Sequence, residues 1–153
     1  MKCLAAILPI LYFCCALTPA FAKDCDTGCQ MQQIDSYFKA LDKISAKGSS
    51  IKEIDHFLSI LHPDVKYIHV EYAASFDRTA WRQAFIRNLE RGAYQNSNQS
   101  EQRVLTSIAG KNHVAVEYAH GVRLQDGTWQ QQQPLLILFG FNAGQISLVK
   151  ELW

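Results

Sequence analysis

The 153-residue sequence has no run of basic residues, no glycine-rich phosphate loop, no nucleophile elbow and no His-Glu-x-x-His motif. The first absence argues against nucleic acid and anionic membrane surfaces as partners. The others remove P-loop phosphoryl transfer, α/β-hydrolase chemistry and zincin-type proteolysis. There is no internal repeat, and the one biased stretch, Gln130 to Gln133, is too short for a disordered tract. Cysteine is scarce after the first 22 residues: three of the five precede that point, leaving Cys25 and Cys29. No charge occurs between Cys3 and Leu17, and no comparable uncharged apolar run follows.

That single run, with its flanks, has the order of an export signal. Lys2 supplies a positive start, Cys3 to Leu17 an apolar centre, Pro19 a break, and Ala20-Phe21-Ala22 small residues at both peptidase-read positions. A cleavable signal peptide over residues 1–22 is expected. The run is short and interrupted by Pro9, so a membrane-spanning helix is disfavoured. No lipobox precedes Cys14, Cys15 or Cys25. The mature chain is therefore expected to be secreted or periplasmic, with no membrane attachment after cleavage. Cleavage after Ala22 leaves 131 residues, enough for one domain with a core. Loss of Lys2 balances 14 basic against 14 acidic side chains. A neutral surface admits self-association, so a homodimer is a further expectation.

Residues 23–29 form an N-terminal segment carrying Cys25 and Cys29. In an oxidising compartment the two thiols are expected to pair, closing a loop worth about 2 kcal/mol in the chain-entropy model. A redox pair or half a metal site is the alternative. No further cysteine and no nearby histidine completes such a site.

From Gln30 the pattern is helical, with Ile34, Tyr37, Phe38, Leu41 and Ile44 on one face and charges on the other. Gly48-Ser49 ends it. Ser50 and Glu53 form a capping box for a second helix, expected to bury Ile51, Ile54, Leu58 and Leu61 and to stop at His62 before Pro63. Val65 to Tyr72 predicts a strand. Asp77 caps a third helix that turns Trp81, Ala84, Phe85 and Leu89 inward. After a polar loop from Tyr94 to Ser100, four strands follow: Arg103–Ile108, His113–Leu124, Trp129–Phe141 and Gln145–Trp153. Turn sequences separate the last three connections. Helix, helix, strand, helix and then a four-strand antiparallel meander define an α+β fold.

Several segments resemble the nuclear transport factor 2-like superfamily, which includes SnoaL-like polyketide cyclases, ketosteroid isomerases and limonene epoxide hydrolases. Ile34 to Leu41 resembles its first helix, Phe57 to Val65 its second helix running through "HPDV" into the first strand, and Thr79 to Phe85 its third helix. Phe139 to Ile146 and Lys150-Glu151-Leu152-Trp153 resemble its last hairpin. The resemblance spans most of residues 30–153. It implies a cone: three helices packed on a curved antiparallel sheet, with a pocket between them. Enzymes and plain binders both occur on this fold, so activity does not follow from it.

The implied pocket directs attention to three side chains. Tyr37 falls where ketosteroid isomerases keep a tyrosine that donates to a developing oxyanion; the alternative is a core tyrosine. Val65, Tyr67 and His69 share a strand face, and His69 falls near that family's general base; the alternative is a structural histidine. The family's third group, a protonated carboxylic acid, aligns with Ile137. That departure leaves the oxyanion hole incomplete, and steroid isomerisation is not expected. His120 could replace the missing donor if Val114, Val116, Tyr118, His120 and Val122 face inward; with the opposite parity it would be an interface residue. Ligand-binding positions implied by the cone are Phe38, Leu41, Tyr67, Trp81, Phe85, Tyr118, Ile137 and Phe139. His62-Pro63-Asp64 reads as a helix stop. His69, Glu71 and His120 do not make a convincing ligand set, so neither a metal nor another cofactor is expected. The expectation for function is an exported protein binding a small, largely apolar molecule. The alternatives are an isomerase, cyclase or dehydratase using His69 as base and Tyr37 as donor, and a non-catalytic dimerisation module.

Overall fold

The computed structural model describes residues 25–95 and 100–153. The expected signal peptide, residues 1–22, lies outside the described residues, as do residues 96–99 of the polar loop. The elements are α1 (Thr27–Ser45), α2 (Ile51–Ser59), β1 (Leu61–His69), β2 (Ala74–Asp77), α3 (Arg78–Glu90), β3 (Ser100–Ala109), β4 (His113–Arg123), β5 (Trp129–Asn142) and β6 (Gln145–Glu151).

The first helix begins three residues before the expected Gln30. Asp26 is its N-cap, and its carboxylate accepts from the Cys29 amide at 2.9 Å. Cys25 and Cys29 are disulfide-bonded across this first turn, with Cα atoms 5.2 Å apart. Buried Gln30 then donates through Nε2 to the carbonyls of Cys25 and Lys111, tying the start of α1 to the turn between β3 and β4. The capping box at Ser50 and Glu53 is present, with the Glu53 carboxylate accepting from the Ser50 amide.

The second helix ends at Ser59, before the expected stop at His62. The strand it feeds begins at Leu61, so Leu61 is buried from the sheet and not from the helix. Phe57 fills the helix face, and Ile51, beside the cap, is half-exposed. Pro63 lies within β1, in the stretch between Leu61 and Lys66 where the ladder with β6 shifts register. A proline, having no amide proton, is tolerated at such an interruption. Strand β1 stops at His69, short of the expected Tyr72. The Ala73 amide donates to the Val70 carbonyl, Ala73 takes a φ of 48°, and the chain returns as β2, a four-residue strand with no distinct alternation in the sequence.

The sheet order is β2-β1-β6-β5-β4-β3, antiparallel throughout except for the parallel pair β1–β6. Register shifts interrupt the β3–β4, β4–β5 and β5–β6 ladders. Such bulges add twist and bend strands, which is how a sheet curls around helices. The concave face carries Val114, Val116, Tyr118, Ile137, Phe139 and Val149, all at or near zero exposure, and α1 and α2 pack Ile34, Tyr37, Phe38, Ile54 and Phe57 against it. Burial of each large apolar side chain contributes about 1.5–3 kcal/mol, so this interlayer core is the main stabilising term. The expected α+β cone of three helices on a curved sheet is the fold observed. Among the described residues no helix is long and apolar enough to cross a membrane.

Candidate functional site

Register decides which polar groups meet. His69, Glu151, Ile137 and Val116 are successive partners across β1, β6, β5 and β4. Partners on one row point to one face of a sheet. The row therefore carries His69 and Glu151 side by side on the concave face, next to the apolar Ile137. Among the described residues the buried polar or charged side chains are Gln30, His69 and Glu151. Two of the three are thus brought together by strand pairing.

Glu151 is the centre of the cluster. The Tyr67 hydroxyl donates to its Oε2 at 2.6 Å, and His69 Nε2 lies 3.5 Å from the same oxygen. The His69 contact is too long and poorly aligned for a good hydrogen bond, so it is an electrostatic neighbour. Burial raises the Glu151 carboxyl above the ordinary glutamate range, while the Tyr67 hydrogen bond and the nearby His69 pull it partly back. Burial likewise raises the hydroxyls of Tyr37, Tyr67 and Tyr118, with the Glu151 charge adding to each.

A cavity of about 230 Å³ opens beside this carboxylate. Its walls come from α1 (Tyr37, Leu41), β1 (Tyr67), β2 (Phe76), α3 (Trp81, Ala84, Phe85, Asn88) and β6 (Glu151). Trp81 stacks on Tyr67 with centroids 4.6 Å apart, which fixes both rings. Tyr37 lines the cavity at 1% exposure, and its hydroxyl has no hydrogen-bond partner among the described residues. An unsatisfied buried hydroxyl costs about 1–3 kcal/mol, so its position calls for a partner supplied by whatever enters.

Of the residues picked from sequence, Tyr37, Leu41, Tyr67, Trp81 and Phe85 line this cavity. Phe38, Tyr118, Ile137 and Phe139 do not. They are buried where α1 meets the sheet, because the aromatic rings of α1 fill the cone at that level: Phe38 contacts both Tyr118 and Phe139. His69 sits behind Glu151, with its ring between Tyr72 (centroids 4.3 Å) and Trp153 (4.4 Å), and is absent from the cavity wall. His120 follows Tyr118 on β4, half-buried, with ring centroids 5.7 Å apart; burial lowers its pKa. It too is away from this cavity. Glu71 is exposed in the turn after β1 and is not the carboxylate beside His69. No group of three metal-ligating side chains converges among the described residues.

Sequence reasoning missed Glu151, Phe76 and Asn88. Glu151 was readable only through the parallel β1–β6 pairing, which brings the far end of the chain alongside His69. It stands one strand from Ile137, the position where the family resemblance places a carboxylic acid. Phe76 lies on the unforeseen strand β2. Trp153, also unassigned, donates from Nε1 to the Tyr118 hydroxyl at 3.2 Å while its ring abuts His69.

No family model and no curated protein matches the chain. Solved structures do. A protein with a ketosteroid isomerase-like fold from Catenulispora acidiphila, in complex with trimethylamine, is 13% identical over 80% of this chain and 85% of its own, with TM-score 0.54. SalBIII, an epoxide hydrolase/cyclase-like enzyme of pyran ring formation in salinomycin, is 15% identical over 84% and 92%, with TM-score 0.58. An LEH-like epoxide hydrolase from M. tuberculosis is 14% identical over 81% of each chain, with TM-score 0.55. The chain thus has the nuclear transport factor 2-like cone fold. At these identities the likeness concerns the fold.

Proposed function

We propose that this is an exported cone-fold protein, secreted or periplasmic, that binds a small, largely apolar molecule between α1, α3 and the sheet. The observation that carries this reading is the Tyr37 hydroxyl, buried without a partner in the wall of an aromatic-lined cavity. A ligand that buries apolar surface against Tyr67, Trp81 and Phe85 and offers Tyr37 one polar atom satisfies both demands. The trimethylamine held by the Catenulispora protein is consistent with a small organic ligand in such a cone. Native mass spectrometry of protein purified from its own host tests the reading. A bound small molecule retained by the wild type and lost from Trp81→Ala supports it; a ligand-free spectrum under gentle conditions counts against it.

A second reading is proton-transfer catalysis of the isomerase, cyclase or dehydratase type, with Tyr37 as hydrogen-bond donor. His69 is the base suggested by sequence. The cavity favours Glu151 as the group that touches substrate, since it lines the wall and burial raises its carboxyl above the ordinary glutamate range, which strengthens it as a base. His69 then acts through Glu151. Incorporation of solvent deuterium into small carbonyl compounds measures this chemistry. Loss of exchange in Glu151→Gln, with a smaller effect in His69→Gln, is the expected result; equal exchange in wild type and Glu151→Gln rejects Glu151 as the base.

The homodimer we propose has a candidate surface in the outward rows of the sheet. Ile108, Ala115 and Leu138 form one row and Thr106, Glu117 and Leu136 the next, with Ile108 and Leu136 exposed.

A further inference from the structure

The cavity has one more property that the binding reading does not use. Five aromatic rings line it, those of Tyr37, Tyr67, Phe76, Trp81 and Phe85, and its one carboxylate is Glu151. Among the described residues no lysine, arginine or histidine is in the wall. The Glu151 contacts fall on Oε2, and no described residue hydrogen-bonds Oε1. The Tyr72 amide donates to His69 Nδ1 at 3.5 Å, and His69 Nε2 faces Glu151. The Glu151 carboxyl thus stands beside His69 at the edge of a π-rich space.

Resting on the binding reading above, we propose that the ligand class is a small organic cation, an alkylated ammonium. Its alkyl groups would contact the rings of Tyr67, Trp81 and Phe85, its charge would be met by Glu151 and by the ring quadrupoles, and any N–H or hydroxyl it carries would satisfy Tyr37. Aromatic faces and a carboxylate are the two groups that attract an ammonium whose alkyl substituents weaken its hydration. An anionic ligand would meet Glu151 with like charge, and an uncharged hydrocarbon would leave Oε1 and the Tyr37 hydroxyl desolvated without compensation. The volume fits. A cavity of about 230 Å³ lies below the range of about 300–1,000 Å³ typical for drug-sized ligands, as suits a ligand as small as a trimethylated or choline-like ion.

The test compares choline with its uncharged carbon isostere, dimethylbutanol, by calorimetric titration of the full mature protein at neutral pH. Trp81 fluorescence is a second readout, because Trp81 is the tryptophan in the wall. The expected result is choline binding at least about tenfold tighter than the isostere, with that preference lost in Glu151→Gln. Equal binding of the pair, or tighter binding of the alcohol, overturns the cation proposal and leaves the apolar-ligand reading standing. Failure of both probes overturns the cation proposal as well, and together with a ligand-free native mass spectrum it overturns the binding reading. The wild-type comparison holds even if Glu151→Gln does not fold.

Discussion

Tyr37 and Glu151 both carry polar groups whose burial costs the folded state, as expected of residues in the proposed binding site. Tyr37 keeps a buried hydroxyl without a partner. Tyr37→Phe is therefore expected to raise stability in the absence of ligand, by up to about 1–3 kcal/mol, the desolvation cost removed. It should weaken retention of the natural ligand in the same protein. Chemical denaturation and native mass spectrometry measure the two effects, and a destabilised variant would show that the hydroxyl is already satisfied. Glu151 has a raised carboxyl pKa in the folded state. The folded protein then holds this proton more tightly than the unfolded chain. The contribution to stability is full below the ordinary glutamate value of about 4.3 and is lost as pH rises through the folded value. Urea denaturation from pH 4 to pH 8 should show wild type losing stability relative to Glu151→Gln as the pH rises. Parallel pH profiles for the two proteins would refute that assignment.

At the scale of elements, the sheet depends on close approaches that its bulges create. Gly121 lies beside the register shift between Ala119 and Gly121, and the Trp129 indole occupies the space where a Cβ at Gly121 would stand. Arg103 covers that indole at 4.7 Å. Gly121→Ala must displace the ring, and a loss of about 1–3 kcal/mol is expected, in the range for overpacking. Trp129→Ala in the same chain should recover part of that loss. Equal stabilities of Gly121→Ala and wild type in thermal unfolding would show that the ring moves freely. The helix starts are simpler. Asp77 accepts from the Ala80 amide at 2.7 Å, and Asp77→Ala should cost about 1 kcal/mol, read from the denaturation midpoint. Both caps named from sequence are in place, because a cap is a local exchange between a side chain and an amide two or three residues away. Strand β2 was not legible: four residues of mixed character owe their conformation to pairing with β1.

For the whole molecule, the bridge between Cys25 and Cys29 closes only a five-residue loop at one end of α1. Reduction should therefore cost about 2 kcal/mol or less, with the core intact. A modest fall in thermal midpoint on adding reductant, with unchanged far-ultraviolet circular dichroism, is the expected observation. Global unfolding would show that the bridge anchors far more than the first turn. The proposed homodimer would use the outward sheet face. Sedimentation at micromolar concentration is expected to give a dimer for wild type and a monomer for Ile108→Lys, whose side chain is 77% exposed. A wild-type monomer would dismiss that surface. N-terminal sequencing of protein exported by its host is expected to begin at Lys23; a mature chain still starting at Met1 would remove the export reading.

What the sequence determined by itself is what short-range chemistry can encode. Helical spacing set α1 and α3, the capping box set the start of α2, the turn residues separated β4, β5 and β6, and two cysteines four residues apart set the bridge. Alternation along β4 also put Val114, Val116 and Tyr118 inward, as expected, but past the register shift between Ala119 and Gly121 those two residues are buried and His120 and Val122, expected on the same face, are only half-buried. What only the tertiary structure decided is which polar groups meet. His69 and Glu151 are 82 positions apart in the sequence, and a parallel pairing of β1 with β6, which no local pattern announces, makes them neighbours. The filling of one end of the cone by Phe38, Tyr118 and Phe139 is decided in the same way, by packing among elements distant in the chain. That packing leaves the open space at the other side, under α3, where Tyr37, Tyr67, Trp81 and Glu151 face one another.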